Sequence, residues 1–163
     1  MKHKKALRII LLIIIILTVT VIWGHSCMTR AKSTEESSFV KEIIDTVVQT
    51  VSGNQSFAIP EVVIRKSAHF FEYAVLGLEL VIFIALNKSV YLNDDKKRGL
   101  IKNILCLYPT AFAISLFVAS VDEIIQYFTG RYSSIWDVML DMTGASFSIL
   151  IFLLIKSLIQ RKK

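Results

Sequence analysis

Ile9-Ile10-Leu11-Leu12-Ile13-Ile14-Ile15-Ile16-Leu17 is an unbroken aliphatic run, and the residues through Trp23 extend it with no charge and only Thr18 and Thr20 as polar interruptions. A helix that is hydrophobic all round belongs in a large core or in lipid. The apolar segment, residues 6–23, approaches the roughly 20 residues that cross about 30 Å of hydrocarbon. Three more segments of that kind follow at about residues 68–86, 104–128 and 138–155. A backbone inside the hydrocarbon must satisfy its own hydrogen bonds, so each segment is predicted to be helical. The expected fold is therefore an all-α integral membrane protein with four transmembrane helices and one amphipathic helix in an outer loop. Composition agrees: 54% of residues are hydrophobic and 20% charged, with a mean hydropathy of +0.59. Soluble enzymes, nucleic-acid-binding modules and disordered chains are excluded on that ground. The net charge of +6 does not reopen a nucleic-acid partner, because most basic residues flank the apolar runs and there act as topology signals.

Thirteen of the nineteen Lys and Arg residues lie before the first span, between the second and third, or after the fourth. The positive-inside rule then places both termini in the cytoplasm. Trp23, Tyr73, Tyr127, Tyr132 and Trp136 fall at the outer ends, and Tyr91 and Tyr108 at the inner ends, as an interfacial aromatic belt would. A cleaved signal peptide is the rival reading of the first span, with Gly24 and Ser26 before Cys27; the run is long for such a segment, and an uncleaved anchor is expected. Cys27 outside and Cys106 inside cannot be bridged, and no redox or zinc chemistry is expected of them. Pro109, near the start of the third span, reads as a first-turn proline.

Residues 24–66 form the one sizeable loop. Phe39, Val40, Ile43, Ile44, Val47, Val48 and Val51 repeat with helical spacing. Ser37 or Ser38 is the expected cap, and Gly53-Asn54 the stop. Such a helix docks on the outer interface or lies across the mouth of the bundle as a lid.

Polar groups within the spans carry the functional signal, because charge there is costly. His69, Glu72, Tyr73, Leu76 and Glu79 share an arc of about 120° on the second span. Asp122, Glu123 and Gln126 close the third. Asp137, Asp141, Gly144 and Ser148 form one stripe on the fourth, and Arg131 sits in the short link between them. Under the four-span topology nearly all of them meet at the outer end, with only Glu79 and Ser148 deeper. Bland roles compete: Arg65, Lys66, His69 and Arg131 as interfacial residues with heads in water, Asp137 as an N-cap, Glu79 as a bond to a neighbouring helix, and Gly77 and Gly144 as close-packing points.

Residues 66–77, Lys-Ser-Ala-His-Phe-Phe-Glu-Tyr-Ala-Val-Leu-Gly, and residues 122–131, Asp-Glu-Ile-Ile-Gln-Tyr-Phe-Thr-Gly-Arg, followed by Asp137 and Gly144, resemble the two conserved blocks of the VanZ-like membrane proteins. The resemblance spans residues 61–155 and divides the chain into an anchor at 1–23, an outer loop with its helix at 24–60, the VanZ-like three-helix region at 61–155 and a basic cytoplasmic tail at 156–163. It implies a bacterial cytoplasmic membrane protein of the cell envelope, whose namesake is an accessory factor in resistance to the glycopeptide teicoplanin. The positions matching the family's polar pattern are Lys66, His69, Glu72, Tyr73, Asp122, Glu123, Gln126, Arg131 and Asp137. Asp141 departs from it, since the pattern has Asn there.

The primary expectation is a non-enzymatic envelope protein binding a membrane lipid, a lipid-linked cell-wall precursor or a glycopeptide at an outward polar site, with Lys66 and Arg131 meeting phosphate or carboxylate. The alternative is an intramembrane enzyme acting on such a lipid, with His69 and Glu72 as base and orienter and Asp122 or Glu123 as acid or metal ligand. No nucleophile motif stands out and no spacing matches a metal or cofactor signature, so none is expected. A transporter ranks last, because a pathway needs polar groups on both sides of its barrier.

Overall fold

Hydrophobicity sets the number of long helices, and polar contacts between them set where each one sits. A computed structural model describes residues 2–53, 58–88, 99–131 and 133–161. Among these there are five helices: α1 (Lys2–Ser26), α2 (Arg30–Ser52), α3 (Glu61–Lys88), α4 (Gly99–Phe128) and α5 (Ile135–Arg161). All but α2 are long and apolar enough to cross a membrane, over Lys5–Ser26, Glu61–Asn87, Leu107–Phe128 and Ile135–Ile159. The loop holding Lys96, Lys97 and Arg98 lies outside the described residues, as do Asn54, Tyr91, Tyr132, the side chain of Cys106 and the last two lysines.

α1 is more than a tether. Ile15, Ile22 and Ser26 are buried against the bundle, with Leu11 and Val19 half-buried beside them, while Ile9, Ile13, Leu17 and Val21 are about half exposed on the far side. Both faces are apolar because one meets protein and the other meets lipid. Polar contacts along its length set its register, among them Arg8 Nη2 donating to Leu86 O at 2.7 Å, Thr18 Oγ1 to Glu79 Oε1 at 2.9 Å, and Trp23 Nε1 to Val118 O at 3.3 Å. Glu79 thus bonds a neighbouring helix.

α3 and α5 form the most extensive pairing, and the two glycines explain how they approach. A Cβ on Gly77 would lie 2.7 Å from the carbonyl oxygen of Ala145, and one on Gly144 would collide with the carbonyl of Phe70. Small residues at a helix crossing bring backbones together where no hydrophobic effect does so. Around that crossing pack Tyr73, Leu76, Leu80, Val81, Ile149 and Leu153. Tyr73, expected in the aromatic belt, is fully buried, whereas Tyr127 and Trp136 are each 70% exposed.

Three expectations about helix ends need correction. α4 begins at Gly99, so Pro109 lies inside the helix and not in its first turn; hydropathy marks where lipid begins, not where a helix does. Asp137 does not cap α5. Ser134 precedes the helix, and its Oγ accepts the Trp136 N–H at 3.2 Å, the geometry of an N-cap. Finally, α2 starts at Arg30, with Thr29 at the cap position, which puts Ser37 and Ser38 in its interior.

Gly53 does end α2, at φ 69°, donating its N–H to Gln49 O. α2 turns its polar stripe inward. Ser37 Oγ donates to Glu61 Oε1 at 2.7 Å, and Asp45 Oδ1 accepts the Ile59 N–H at 2.9 Å. Phe39, Ile43, Val47 and Val51 face outward, all at least half exposed. That arrangement suits a helix lying at a membrane interface with its apolar face toward acyl chains.

Two outcomes follow from this packing. Gly144→Ala is expected to lower stability in detergent by about 1–3 kcal/mol, whereas Gly24→Ala, with nothing within 4 Å of the added carbon, should leave the unfolding midpoint unchanged. The second concerns Asp45, whose carboxyl is held below its ordinary range by the Ile59 N–H and then by Lys41. A depressed pKa gives stability that is present above the unfolded value and is lost as pH falls through the folded one. Protection of α2 amides, taken relative to their intrinsic exchange rates, should therefore fall selectively below about pH 4, and Asp45→Asn should abolish that pH dependence.

Candidate functional site

Chain direction brings the polar residues together. α1 ends, α3 begins, α4 ends and α5 begins at one end of the bundle, and α2 packs on α3 there. Asp122, Glu123, Gln126 and Asp141 are all buried at this end, at 0%, 6%, 5% and 1% exposure.

Asp122 and Glu123 each have their own donors. Asp122 Oδ1 accepts from Ser26 Oγ at 2.5 Å, and its Oδ2 from Gln126 Nε2 at 3.0 Å, the latter one turn along α4. Glu123 Oε2 accepts the backbone N–H of Ser134 at 2.9 Å. In a capping box that N–H goes to an acid at the third helical position, which here is Asp137. With Glu123 in that role, Asp137 is free to pair with Lys66 at 2.8 Å. Glu72 Oε1 lies 2.8 Å from Nδ1 of His25, whereas its Oε2 is 3.8 Å from Nδ1 of His69. The base-and-orienter hydrogen bond expected between His69 and Glu72 is therefore not made; α1 supplies a nearer imidazole.

Two adjoining cavities open over this network. One, about 430 Å³, is lined by Lys66, His69, Glu123, Gln126, Trp136 and Asp137 among others. The other, about 440 Å³, lies under α2, with Ser37, Phe39 and Val40 on one wall and His25 and Glu72 on another. Arg65, Arg131, His69 and Ser33 line both. Arg131 Nη1 donates to His25 O at 2.9 Å, and among the described residues neither arginine has a carboxylate within ion-pairing distance. The Arg131 guanidinium is pushed below its ordinary range, first by burial and then by the charge of Arg65. Two crowded, unpaired guanidinium groups make an anion-accepting rim.

Of the residues singled out in the sequence, Lys66, His69, Glu123, Gln126, Arg131 and Asp137 line the first cavity, and Glu72 the second. Tyr73, Asp122 and Asp141 lie buried beside them, and Glu79 sits deeper, bonded to α1. Lys66 is paired with Asp137, whereas its neighbour Arg65 has no ion-pair partner among the described residues. His25 and Ser26 were missed because they end a span read as an anchor, and Ser33 because it precedes the apolar stripe of α2. One ligand atom each from His69, Asp122 and Asp141 lies within 4.8 Å of the other two. Sequence spacing held no sign of this, since the three come from α3, α4 and α5.

No curated protein and no solved structure matches the chain. The model of the family described as VanZ/LLP1 matches residues 9–156, a stretch that takes in most of α1 as well as α2 to α5. With nearly the whole chain matched, and both sequence blocks meeting at one buried network, the protein belongs to the VanZ/LLP1 family.

Proposed function

We propose that this is a bacterial cytoplasmic membrane protein, with both termini in the cytoplasm, that binds an anionic membrane-anchored ligand at the outer end of its bundle. Its ligand is a lipid of the envelope with net negative charge on its phosphate, with a lipid-linked cell-wall precursor as the preferred class. Through that ligand, or by direct contact with an acylated glycopeptide, it modulates susceptibility to teicoplanin. The observation that carries this reading is the pair of unpaired guanidinium groups, Arg65 and Arg131, on the walls of both cavities. A planar guanidinium suits phosphate and carboxylate oxygens. Gln126 and Glu123 beside it suit amide or sugar hydroxyls. Trp136, exposed at the start of α5, is a side chain of the kind that favours the headgroup layer. Acid–base work by His69 and Glu72 is not part of this reading, because Glu72 is engaged by His25.

Binding to nanodiscs tests it. Lipid-linked precursor is expected to bind wild type well above phosphatidylcholine, and Arg65→Gln and Arg131→Gln should each weaken binding by about tenfold. Equal binding of neutral lipid, or affinity unchanged in both variants, contradicts the proposal. In cells, deletion should lower tolerance to teicoplanin and not to vancomycin, with wild type and not the double variant restoring it.

A further inference from the structure

We infer that His69, Asp122 and Asp141 form a divalent-cation site set into the membrane end of the bundle, independently of what occupies the cavities. Three observations carry it. The first is convergence: a ring nitrogen of His69 and one oxygen from each carboxylate lie within 4.8 Å of one another, although they arise from three helices. A tetrahedral ion with bonds of about 2.0–2.2 Å separates its ligand atoms by about 3.3–3.6 Å, so small side-chain rotations close the set.

The second is a shortage of partners. Asp141 is 1% exposed and its Oδ1 has no hydrogen-bond partner, and the same holds for Nδ1 of His69 and for the hydroxyl of Tyr73, one turn further along α3. Buried polar groups are very rarely left so. Two of the three convergent side chains, His69 and Asp141, thus carry a buried atom without a partner, as ligands of a shared ion would.

The third is charge. Among the described residues no Lys or Arg lies within ion-pairing distance of Asp122 or Asp141. Two ionised carboxylates in a membrane span need a compensating charge, and one divalent ion supplies it.

The donor set also selects the metal. One imidazole and two carboxylates suit zinc or manganese, whereas calcium prefers six to eight oxygens. Ser26 and Gln126 hold the Asp122 carboxylate in one orientation through its two oxygens and leave further lone pairs free. Three protein donors leave a coordination position for water or for an oxygen of a bound ligand.

The test uses tag-free full-length protein in detergent, stripped with chelator and then reloaded separately with zinc, manganese or calcium. Metal retained after desalting is measured by mass spectrometry. Wild type is expected to hold about one zinc or manganese per chain and to melt higher when loaded, with little calcium retained. His69→Gln and Asp141→Asn should each weaken binding by more than about tenfold, whereas Glu79→Gln, elsewhere in the span, should bind as wild type does. Both substitutions preserve size. Cobalt loading of wild type reads the ligand set without any variant, and a tetrahedral visible spectrum is expected. Retention no higher in wild type than in the His69→Gln/Asp141→Asn double variant, or no cobalt spectrum, overturns the site and leaves shared protons or water as the partner of Asp141.

Discussion

Burying carboxylates in a bilayer-spanning bundle is the constraint on which this structure depends. Asp122, Glu123 and Asp141 are all buried, and each needs donors that its own helix cannot wholly supply. Asp122 takes one from α1, Glu123 takes the backbone at the start of α5, and Asp141 keeps one oxygen without a donor. The apolar surfaces would allow several arrangements of four helices, since lipid tails are as apolar as leucine side chains. Polar contacts across helices discriminate among them, because leaving one unmade is costly at that depth.

α1 is part of this polar network. Its aliphatic run looks like a generic anchor, yet Ser26, His25 and Thr18 each complete a contact to an acid of another helix. Removing α1 would strip the Ser26 hydroxyl from Asp122, the imidazole from Glu72 and the hydroxyl from Glu79. The family match beginning at residue 9 fits a helix integral to the bundle. α2 behaves differently: its polar stripe meets α3 and its apolar stripe is left outward, so it roofs one cavity while its other face suits the membrane surface.

Much of this was legible in the sequence. Apolar run length located the spans, and period-3.6 spacing aligned Asp137, Asp141, Gly144 and Ser148, of which the last three are buried. Alternation of direction then brought the polar ends together. Helix ends were read less well, because capping depends on local hydrogen bonds that hydropathy does not report; Ser134 and Arg30 show this. Pairings were least accessible. Lys66 satisfies Asp137 and Arg65 does not pair, a difference set by about 100° of rotation between neighbouring residues on a helix. The meeting of His69, Asp122 and Asp141 needs three helices in register, which no one-dimensional spacing encodes.

The proposed function requires the polar network to face the outside of the cell, and Cys27, exposed beside it, offers a direct reading. With Cys106→Ser removing the other thiol, intact cells would be treated with a membrane-impermeant maleimide. Labelling of Cys27 in intact cells, blocked by prior treatment with an impermeant thiol reagent, is the expected result. Labelling only after permeabilisation would put the network and its arginine rim on the cytoplasmic side and contradict an envelope-facing site.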